Sequence, residues 1–176
     1  MKRIFLITGK AQHGKDTTAG FIKETLEKDG KRVLIVHYAD LLKFIAKSYL
    51  GWDGNKDEKG RKLLQYVGTD VIRKQEPDLW VDFVAKMIKF FKNDYDYVIV
   101  PDTRFPNEVT KMKLYFDNVT LIRVIRPNFK SPLTPEQQAH PSETALDDYP
   151  AKIVVENSGT LEDLENDIVS SKYLFM

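Results

Sequence analysis

A glycine loop, residues 9–17, carries the residue types that bind phosphate groups. Gly9 and Gly14 are separated by four residues, and Lys15 follows the second glycine. The loop lies between an apolar run that predicts a buried strand and a segment with helical period. In this setting backbone N–H groups and the positive end of the helix converge on phosphate oxygens, and the lysine ammonium reaches the outer phosphates. The spacing predicts a nucleoside triphosphate site; a plain glycine turn is the alternative.

The residues directly after Lys15 bear on a metal site. The usual pattern has Ser or Thr after the lysine, whereas this chain has Asp16 there and the hydroxyl of Thr17 one residue later. A carboxylate is a good oxygen ligand for Mg²⁺, directly or through water. The departure therefore does not exclude a metal near Asp16 and Thr17.

A second acidic position follows another predicted strand. Asp102 comes just after the apolar residues 98–100, and Arg104 lies two residues further along. Proteins with such a loop place a second metal-directed carboxylate at this point. We predict this role for Asp102, and contact with phosphate for Arg104. The alternative is that Asp102 caps the following helix while Arg104 pairs with Glu108.

Three charged residues between the second and third predicted strands are candidates for an acceptor site. Asp40 lies at the mouth of the sheet, where a carboxylate could orient an acceptor, although it also fits a helix N-cap. Lys43 lies one turn further on, and Arg73 follows a later helical stripe. Both cations could meet an acceptor phosphate. For each of the three, a solvated surface position is equally open.

The lid segment, residues 127–150, is flanked by Arg123 and Arg126 and contains Lys130. Positioned guanidinium groups stabilise the charge that spreads over a transferred phosphoryl group. Arg126, at a strand end, is the better candidate, because Arg123 also fits an exposed strand position. The lid segment has five prolines, at positions 127, 132, 135, 141 and 150. It is therefore not expected to form one continuous helix.

Two further polar segments have weaker signals. Residues 157–160, which include Asn157 and Gly159, follow the last predicted strand and could lie against a nucleotide base, although a plain turn with an N-cap explains them equally. His140 and Glu143 could suggest a metal pair or a proton relay. The three histidines show no ligand spacing to one another, so a histidine-based metal site is not expected.

The elements that must position these residues alternate along the chain. The runs that predict strands are residues 4–7, 33–36, 97–100, 119–125 and 153–155. The first two runs are apolar throughout, as is typical of central parallel strands covered on both faces. Helical period marks residues 17–28 and most of 40–93, with a polar, glycine-bearing loop predicted at 51–60. A capping box between Thr160 and Asp163 starts the last helix. The expected buried faces include Leu42, Ile45, Ala46 and Tyr49 in one helix, and Leu161, Leu164 and Ile168 in the last.

Alternating strands and helices predict a three-layer α/β/α fold with a five-stranded parallel sheet. We predict a single domain over residues 1–176, whose core is residues 1–38 and 95–176. A helical insert, residues 39–94, would bind the acceptor, and the lid segment would cover the site. Both lie where ligand sites form in α/β folds, beyond the carboxyl ends of the strands.

Composition excludes several classes of protein. Lys and Arg number 27 against 26 Asp and Glu, so the strongly basic surface of a duplex-binding domain is not expected. The absence of cysteine removes disulfides, thiolate nucleophiles and Cys-ligated zinc. No segment approaches the roughly 20 apolar residues that span a bilayer, and the apolar run near the N-terminus is shorter than a secretory core. We expect a cytoplasmic protein with small-molecule nucleotide substrates, no membrane association and no stable nucleic-acid binding; a homodimer is left open.

Taken together, the motifs resemble the deoxynucleoside monophosphate kinases of bacteriophages and related bacterial proteins. The similar segments are residues 14–17, 38–43, 68–70 with Trp80, 100–104, 126–127, 157–160, and also 104–108 and 140–143. The resemblance runs from Lys2 to about Ser170. Asp after the loop lysine is typical of this group, so the departure at Asp16 becomes support for it.

The resemblance implies a P-loop NTPase fold and a kinase that uses ATP and Mg²⁺ to make deoxynucleoside diphosphates. It implies catalytic roles for Lys15, Asp102, Arg104 and Arg126. The ATP site would comprise Gly9, Gly14, Lys15, Asp16, Thr17, Thr18, Arg126, Asn157 and Gly159. The acceptor side would comprise Lys10, Asp40, Lys43, Arg73 and Arg104. The residues near the metal would be Asp16, Thr17 and Asp102.

Other functions stay open on sequence alone. A kinase for a small phosphorylated acid, of the phosphomevalonate type, can carry a similar loop, and so can a kinase for hydroxymethylated bases in DNA. A nucleotide-binding switch that hydrolyses ATP poorly is the alternative outside enzymes. A structural domain with an accidental loop is the weakest alternative.

Overall fold

Five apolar runs form the strands of one parallel sheet in the computed structural model, which describes residues 1–171. The strands are β1 (Arg3–Thr8), β2 (Val33–Ile35), β3 (Tyr97–Val100), β4 (Val119–Ile125) and β5 (Ile153–Glu156). Their order across the sheet is β2-β3-β1-β4-β5, and every neighbouring pair is parallel. The predicted five-stranded parallel sheet is confirmed.

The central strand β1 explains why the sheet is covered on both faces. Ile4, Phe5, Leu6 and Ile7 are all fully buried. Because side chains alternate along a strand, Ile4 and Leu6 join one apolar core while Phe5 and Ile7 join the other. Complete burial of such a side chain contributes about 1.5–3 kcal/mol, so β1 holds the glycine loop at a stable end of the sheet.

Helices form the two outer layers. They are α1 (Lys15–Lys28), α2 (Ala39–Tyr49), α3 (Glu58–Gln65), α4 (Leu79–Phe90), α5 (Pro106–Tyr115), α6 (Pro135–Ala139), α7 (Pro141–Thr144) and α8 (Leu161–Ser170). Buried side chains of α1 and α8 belong to the core that contains Phe5, and those of α4 and α5 to the core that contains Ile4. Among residues 1–171, no helix is both long and apolar enough to cross a membrane.

A π-helix, Tyr66–Arg73, continues directly from α3. Its Gly68 packs so closely on Leu42 of α2 that an added Cβ would lie 2.5 Å from a leucine methyl group. The indole N–H of Trp80, on α4, donates to the carbonyl of Gly68 over 3.1 Å. These contacts join three helices of the helical insert. The boundaries of the insert stay a prediction.

The predicted loop at residues 51–60 is wrong in its last part, because α3 begins at Glu58. The Asp57 carboxylate accepts from the N–H of Gly60 over 2.7 Å and caps the helix. An added Cβ on Gly60 would lie 2.0 Å from the carbonyl oxygen of Asn55. Gly60 is therefore a close-packing position inside a helix, and sequence alone reads it as a loop glycine.

Two residues assigned to buried helix faces are exposed instead. Tyr49 is 74% exposed and Leu161 is 65% exposed. Tyr49 lies at the end of α2 and Leu161 at the start of α8. The positions one turn further into each helix, Ala46 and Leu164, are buried as predicted. The predicted helical period is correct, but at these helix ends its last apolar residue does not reach the core.

The lid segment contains two short helices, α6 and α7, so the prediction that it is not one continuous helix is confirmed. Pro135 and Pro141 occupy the first turns of these helices, where a missing N–H costs nothing. The Arg123 guanidinium donates to three main-chain carbonyls of the lid segment over 2.5–2.6 Å, those of Leu146, Asp147 and Tyr149. The reading of Arg123 as a plain exposed strand position is therefore wrong, because it anchors the lid segment to β4.

Candidate functional site

The glycine loop connects β1 to α1 and needs glycine at two positions. Gly9 has φ of 145°, and an added Cβ would lie 2.3 Å from the carbonyl oxygen of Val124. Gly14 has φ of 99°, and its Cβ would lie 2.6 Å from the side-chain nitrogen of Asn157. Both φ values are unfavourable for residues with a side chain. The loop is therefore held between the ends of β4 and β5.

Lys15 is the most deeply placed cation of the loop and is 8% exposed. Its ammonium donates to the carbonyl oxygens of Gly9 at 2.8 Å and Lys10 at 2.7 Å. Burial, and next the positive charge of Arg104, lower the pKa of Lys15 from 10.5 to about 7. A bound anion would reverse this effect, because an opposite charge favours the ammonium form.

Asp16 lies beside His37, whose Nε2 is 3.5 Å from the carboxylate. This contact lowers the pKa of Asp16 and raises the pKa of His37. The other ring nitrogen of His37 lies 3.4 Å from the Asp40 carboxylate, which also accepts from Lys43 over 3.0 Å. Asp40 is exposed and does not line the cavity described below. Its predicted role towards an acceptor stays a prediction.

The Asp102 carboxylate binds the start of α2. Its two oxygens accept from the backbone N–H groups of Tyr38 at 2.9 Å and Ala39 at 3.0 Å. An anion at this end of a helix is favourable, because unpaired N–H groups and the positive helix end meet there. The alternative that Asp102 caps the helix following it is therefore wrong. The helix whose first turn it binds lies earlier in the chain.

Arg104 and Arg73 each pair with a carboxylate, and the pairs differ from the alternative considered above. The Arg104 side chain lies 2.6 Å from Glu143. Its contact with Glu108 is made by the backbone N–H of Arg104 alone, which donates to the Glu108 carboxylate over 2.7 Å. Glu108 instead pairs with Arg73 over 2.6 Å. Burial raises the pKa of Glu108, and the charge of Arg73 is the largest influence that opposes this rise. The Arg73 guanidinium also lies 3.9 Å from the centre of the Phe105 ring, a cation–π contact.

A cavity of about 390 Å³ brings many of these side chains together. The predicted site residues that line it are Lys15, Asp16, Lys43, Arg73, Asp102 and Arg104. Its volume falls within the range typical of small-molecule sites. Carboxylates and cations from the glycine loop, α2, the π-helix and the end of β3 therefore share one cavity.

Other predicted residues lie away from this cavity. The Lys10 ammonium donates to the Asp147 carboxylate, with a nearest distance of 2.5 Å, and to the carbonyl of Glu143 at 2.7 Å. Arg126 is exposed, with its guanidinium 4.5 Å from the centre of the Phe129 ring. Their proposed contacts with substrate stay predictions.

Residues 157–160, which are predicted to contact a nucleotide base, also make contacts within the chain. The Asn157 amide donates to the carbonyl of His13 over 3.0 Å, which fixes the glycine loop against the end of β5. An added Cβ on Gly159 would lie 2.5 Å from the Asp163 carboxylate, the partner of Thr160 in a capping box. The predicted capping box is confirmed. The predicted base contact remains untested.

Thr17 and Thr18 differ in accessibility. Thr17 is half-buried. Thr18 is completely buried, and its N–H donates to the carbonyl of Gly14 over 2.8 Å. Its hydroxyl has no hydrogen-bond partner among residues 1–171. Any contact of Thr18 with a nucleotide stays a prediction.

Sequence reasoning missed two cations of the cavity, Lys56 and Arg61. Burial, and next the charge of Lys43, lower the pKa of Lys56. The side chain of Arg61 donates to the carbonyl of Lys56 over 2.9 Å. Both residues lie in or next to the predicted loop at 51–60. A basic residue in such a loop is equally typical of a solvated surface, so its charge alone does not indicate a binding site.

The donor set is consistent with a metal held mainly by substrate. In the part of the chain that the structure describes, no group of three or more His, Cys, Asp or Glu side chains could hold a metal ion by itself. Mg²⁺ usually takes one or two carboxylates together with waters and phosphate oxygens. Asp16 and Asp102 line the same cavity as Lys15 and supply oxygens of the kind that Mg²⁺ prefers. The residues present therefore fit such an ion.

Comparison with known proteins adds a family to this geometry. A family model described as deoxynucleotide monophosphate kinase matches residues 29–168. The chain is 34% identical over 106 residues to the deoxynucleotide monophosphate kinase of Enterobacteria phage T4, and 30% identical over 110 residues to that of Escherichia phage RB69. These matches cover 59% and 61% of this chain but 41% and 42% of the relatives. The chain thus matches less than half the length of either relative. The family match begins after the glycine loop.

Solved structures share the fold at low sequence identity. An APS kinase of Mycobacterium tuberculosis has a TM-score of 0.56 and 9% identity, with 99% of this chain and 97% of that chain covered. Shikimate kinase from Aquifex aeolicus has a TM-score of 0.51 and 15% identity, with 96% and 94% covered. These likenesses concern the fold alone, and they confirm the predicted α/β architecture.

Proposed function

Because this chain belongs to the deoxynucleotide monophosphate kinase family, we propose that it transfers the γ-phosphoryl group of ATP to a deoxynucleoside monophosphate, giving a deoxynucleoside diphosphate and ADP. The observation that carries the proposal is the 390 Å³ cavity, in which Lys15 of the glycine loop shares walls with Lys43, Arg73 and Arg104. Such a cavity can bring the outer phosphates of a donor next to the phosphate of an acceptor. Phosphoryl transfer is catalysed mostly by positioning and charge stabilisation, so no strong general base is required.

On the donor side, the backbone N–H groups of the glycine loop would bind the phosphates of ATP. The Lys15 ammonium would exchange the carbonyls of Gly9 and Lys10 for phosphate oxygens. Because its pKa in the free chain is about 7, the phosphates would also restore its full positive charge. Asn157 and Gly159 are proposed to line the base, and Arg126, which follows β4, is proposed to approach the phosphates from the edge of the lid segment.

Asp16, Thr17 and Asp102 are the residues proposed to hold Mg²⁺, directly or through water. When bound, this ion neutralises charge on the phosphates. The Asp102 carboxylate has room for this role beside its two N–H partners, because an ionised carboxylate offers about four acceptor positions. Asp102 would therefore link the start of α2 to the nucleotide.

On the acceptor side, Lys43, Arg73 and Arg104 would bind the phosphate of the monophosphate. Lys10 and Asp40 do not line the cavity, and they are proposed to contact the acceptor from outside it. An oxygen of the acceptor phosphate would attack the γ-phosphorus, and the bond from that phosphorus to the β–γ bridging oxygen would break. Guanidinium and ammonium groups stabilise the charge that spreads over the transferred oxygens. The near-neutral net charge of +1 favours free nucleotides over a nucleic-acid strand as the acceptor. A cytoplasmic location stays a prediction from the sequence.

An acceptor panel tests the proposal. ADP formation from ATP and Mg²⁺ is measured with each deoxynucleoside monophosphate, the matching ribonucleotides, nucleosides, small phosphorylated acids and DNA with hydroxymethylated bases. We expect turnover with at least one deoxynucleoside monophosphate, and none with the nucleosides. If no deoxynucleoside monophosphate is turned over, the proposal is wrong.

The variant Lys15→Ala is the control for the glycine loop. It should abolish transfer while the folded chain persists, as followed by circular dichroism. Full activity in this variant would refute the assignment of the loop. ATP binding without acceptor-stimulated turnover in the unmodified chain would instead indicate a nucleotide-binding switch.

A further inference from the structure

One carboxylate of the lid segment reaches the glycine loop itself. Glu143 accepts from the backbone N–H of Ala11 over 2.8 Å through one oxygen, and lies 2.6 Å from the Arg104 guanidinium through the other. Its side chain is 7% exposed. An internal anion therefore bridges a loop N–H and an arginine, which are the two kinds of group that bind a phosphoryl oxygen.

The backbone around Glu143 is held as well. The Lys10 ammonium donates to the carbonyl of Glu143 over 2.7 Å, and Arg104 donates to the carbonyl of Ser142 over 3.1 Å. Main-chain and side-chain atoms of the lid segment are thus fixed to the same two partners, the glycine loop and Arg104. The position of the carboxylate follows from the docking of the whole segment.

The pair of Arg104 and Glu143 also separates two cavities. A second cavity, of about 210 Å³, lies between the glycine loop, β4 and the lid segment. Arg104, Ser142 and Glu143 line both this cavity and the one of 390 Å³. The Glu143 side chain therefore lies at the boundary of the two spaces beside the loop.

We propose that Glu143 is an autoinhibitory carboxylate, which in the free chain occupies the groups that the γ-phosphoryl group of ATP uses. The inference rests on the proposed function. Two anions cannot share one weakly exposed site without strong repulsion, so the incoming γ-phosphate displaces Glu143 from Ala11 and Arg104. Displacement frees Arg104 for the transferred group and loosens the lid segment. ADP has no third phosphate, and it leaves the contact in place.

The test compares two nucleotides in two proteins. The dissociation constants of a non-hydrolysable ATP analogue and of ADP, each with Mg²⁺, are measured by calorimetry for the unmodified chain and for Glu143→Gln. Glutamine keeps the shape but removes the competing charge. Since a hydrogen bond to a charged group contributes more than a neutral one, we expect the analogue to bind about tenfold more tightly to the variant, and ADP binding to change little.

Asp147→Asn is the matched control. It removes the same charge from the same segment, but the Asp147 carboxylate is about half exposed and pairs with Lys10, without contacting Ala11 or Arg104. Its ratio of analogue to ADP affinity should equal that of the unmodified chain. Melting temperatures of the free proteins check folding. If Glu143→Gln does not fold, Glu143→Asp, which is one methylene too short to bridge both partners, replaces it.

Three results overturn the inference. They are an unchanged affinity ratio in the Glu143 variant, weaker binding of the analogue, and an equal change of the ratio in Asp147→Asn. In each case the acceptor panel still reports on the proposed function by itself. If neither protein binds either nucleotide and the panel shows no turnover, the proposed function fails, and the inference fails with it.

Discussion

Replacement of the loop lysine should make the fold more stable while it removes activity. The perturbation is Lys15→Met, which keeps an unbranched side chain of similar length without the charge. The Lys15 ammonium is nearly buried, and its pKa falls from 10.5 to about 7 on folding. The folded state therefore binds this proton less tightly than the unfolded state, and burial of the charge opposes folding.

The sign and size of the effect follow from proton linkage. Below pH 7 both states hold the proton and the cost is complete; as pH rises from 7 towards 10.5, only the unfolded state keeps it, so the cost diminishes. Each pH unit in this window contributes up to about 1.4 kcal/mol. Near pH 7 the methionine variant should be more stable by up to about 4 kcal/mol, less what is lost with the two hydrogen bonds to carbonyls. Between pH 7 and pH 9 the difference should shrink by about 2 kcal/mol.

Urea unfolding at pH 6, 7 and 9 measures this difference, because effects of the other titrating groups cancel between the two proteins. Lys28→Met, at an exposed position of the same helix, is the control and should show little change at any of these pH values. A Lys15→Met variant that is less stable than the unmodified chain at pH 7, or a difference independent of pH, would refute the reasoning. A gain in stability at the expense of activity is the trade-off expected of a functional site.

Two further predictions concern residues that support the cavity. Arg73→Met should lower the free energy of unfolding by about 3–5 kcal/mol in urea titrations, because it leaves the buried Glu108 without its partner. The control is Lys111→Met, which breaks the surface pair with Asp78 and should have little effect. Comparable losses in the two variants would contradict the buried-pair argument. Gly9→Ala should greatly weaken ATP binding and lower the melting temperature, since its Cβ would lie 2.3 Å from a carbonyl oxygen of β4. The control is Gly20→Ala in α1, where the Cβ has open space around it and should stabilise the helix by up to about 1 kcal/mol. Normal ATP binding in Gly9→Ala would show that the loop tolerates a side chain.

The sheet could be predicted from the sequence because its signal is local. Runs such as residues 97–100 are apolar at every position. Such a run is typical of a strand that is covered on both faces, because there no side chain faces water. The prolines at 135 and 141 likewise broke the lid segment into short helices, through the conformational limits of their own backbone. Helix ends were less predictable, since Tyr49 and Leu161 continue the apolar period beyond the contact with the core.

The partners within the site could not be predicted, because they come from distant parts of the chain. Glu108 lies four residues from Arg104, which made that pair plausible, yet its partner is Arg73, 35 residues away. The partners of Asp102 are backbone N–H groups of α2, which carry no sequence signature. Lys56 lines the cavity although it lies in the loop before α3. Such pairings depend on tertiary packing, and single-residue chemistry does not encode them.

The π-helix at Tyr66–Arg73 has a consequence for the register of the cavity wall. In an α-helix, five residues advance about 140° beyond one full turn, so Gly68 and Arg73 would point in different directions. The wider i→i+5 bonding of a π-helix brings residues five apart onto neighbouring turns of one face, and both Gly68 and Arg73 line the cavity. The extra residue in this turn thus acts as a rotational offset. The number of residues in this turn therefore matters as much as the identity of its side chains, because it sets which of them face the cavity.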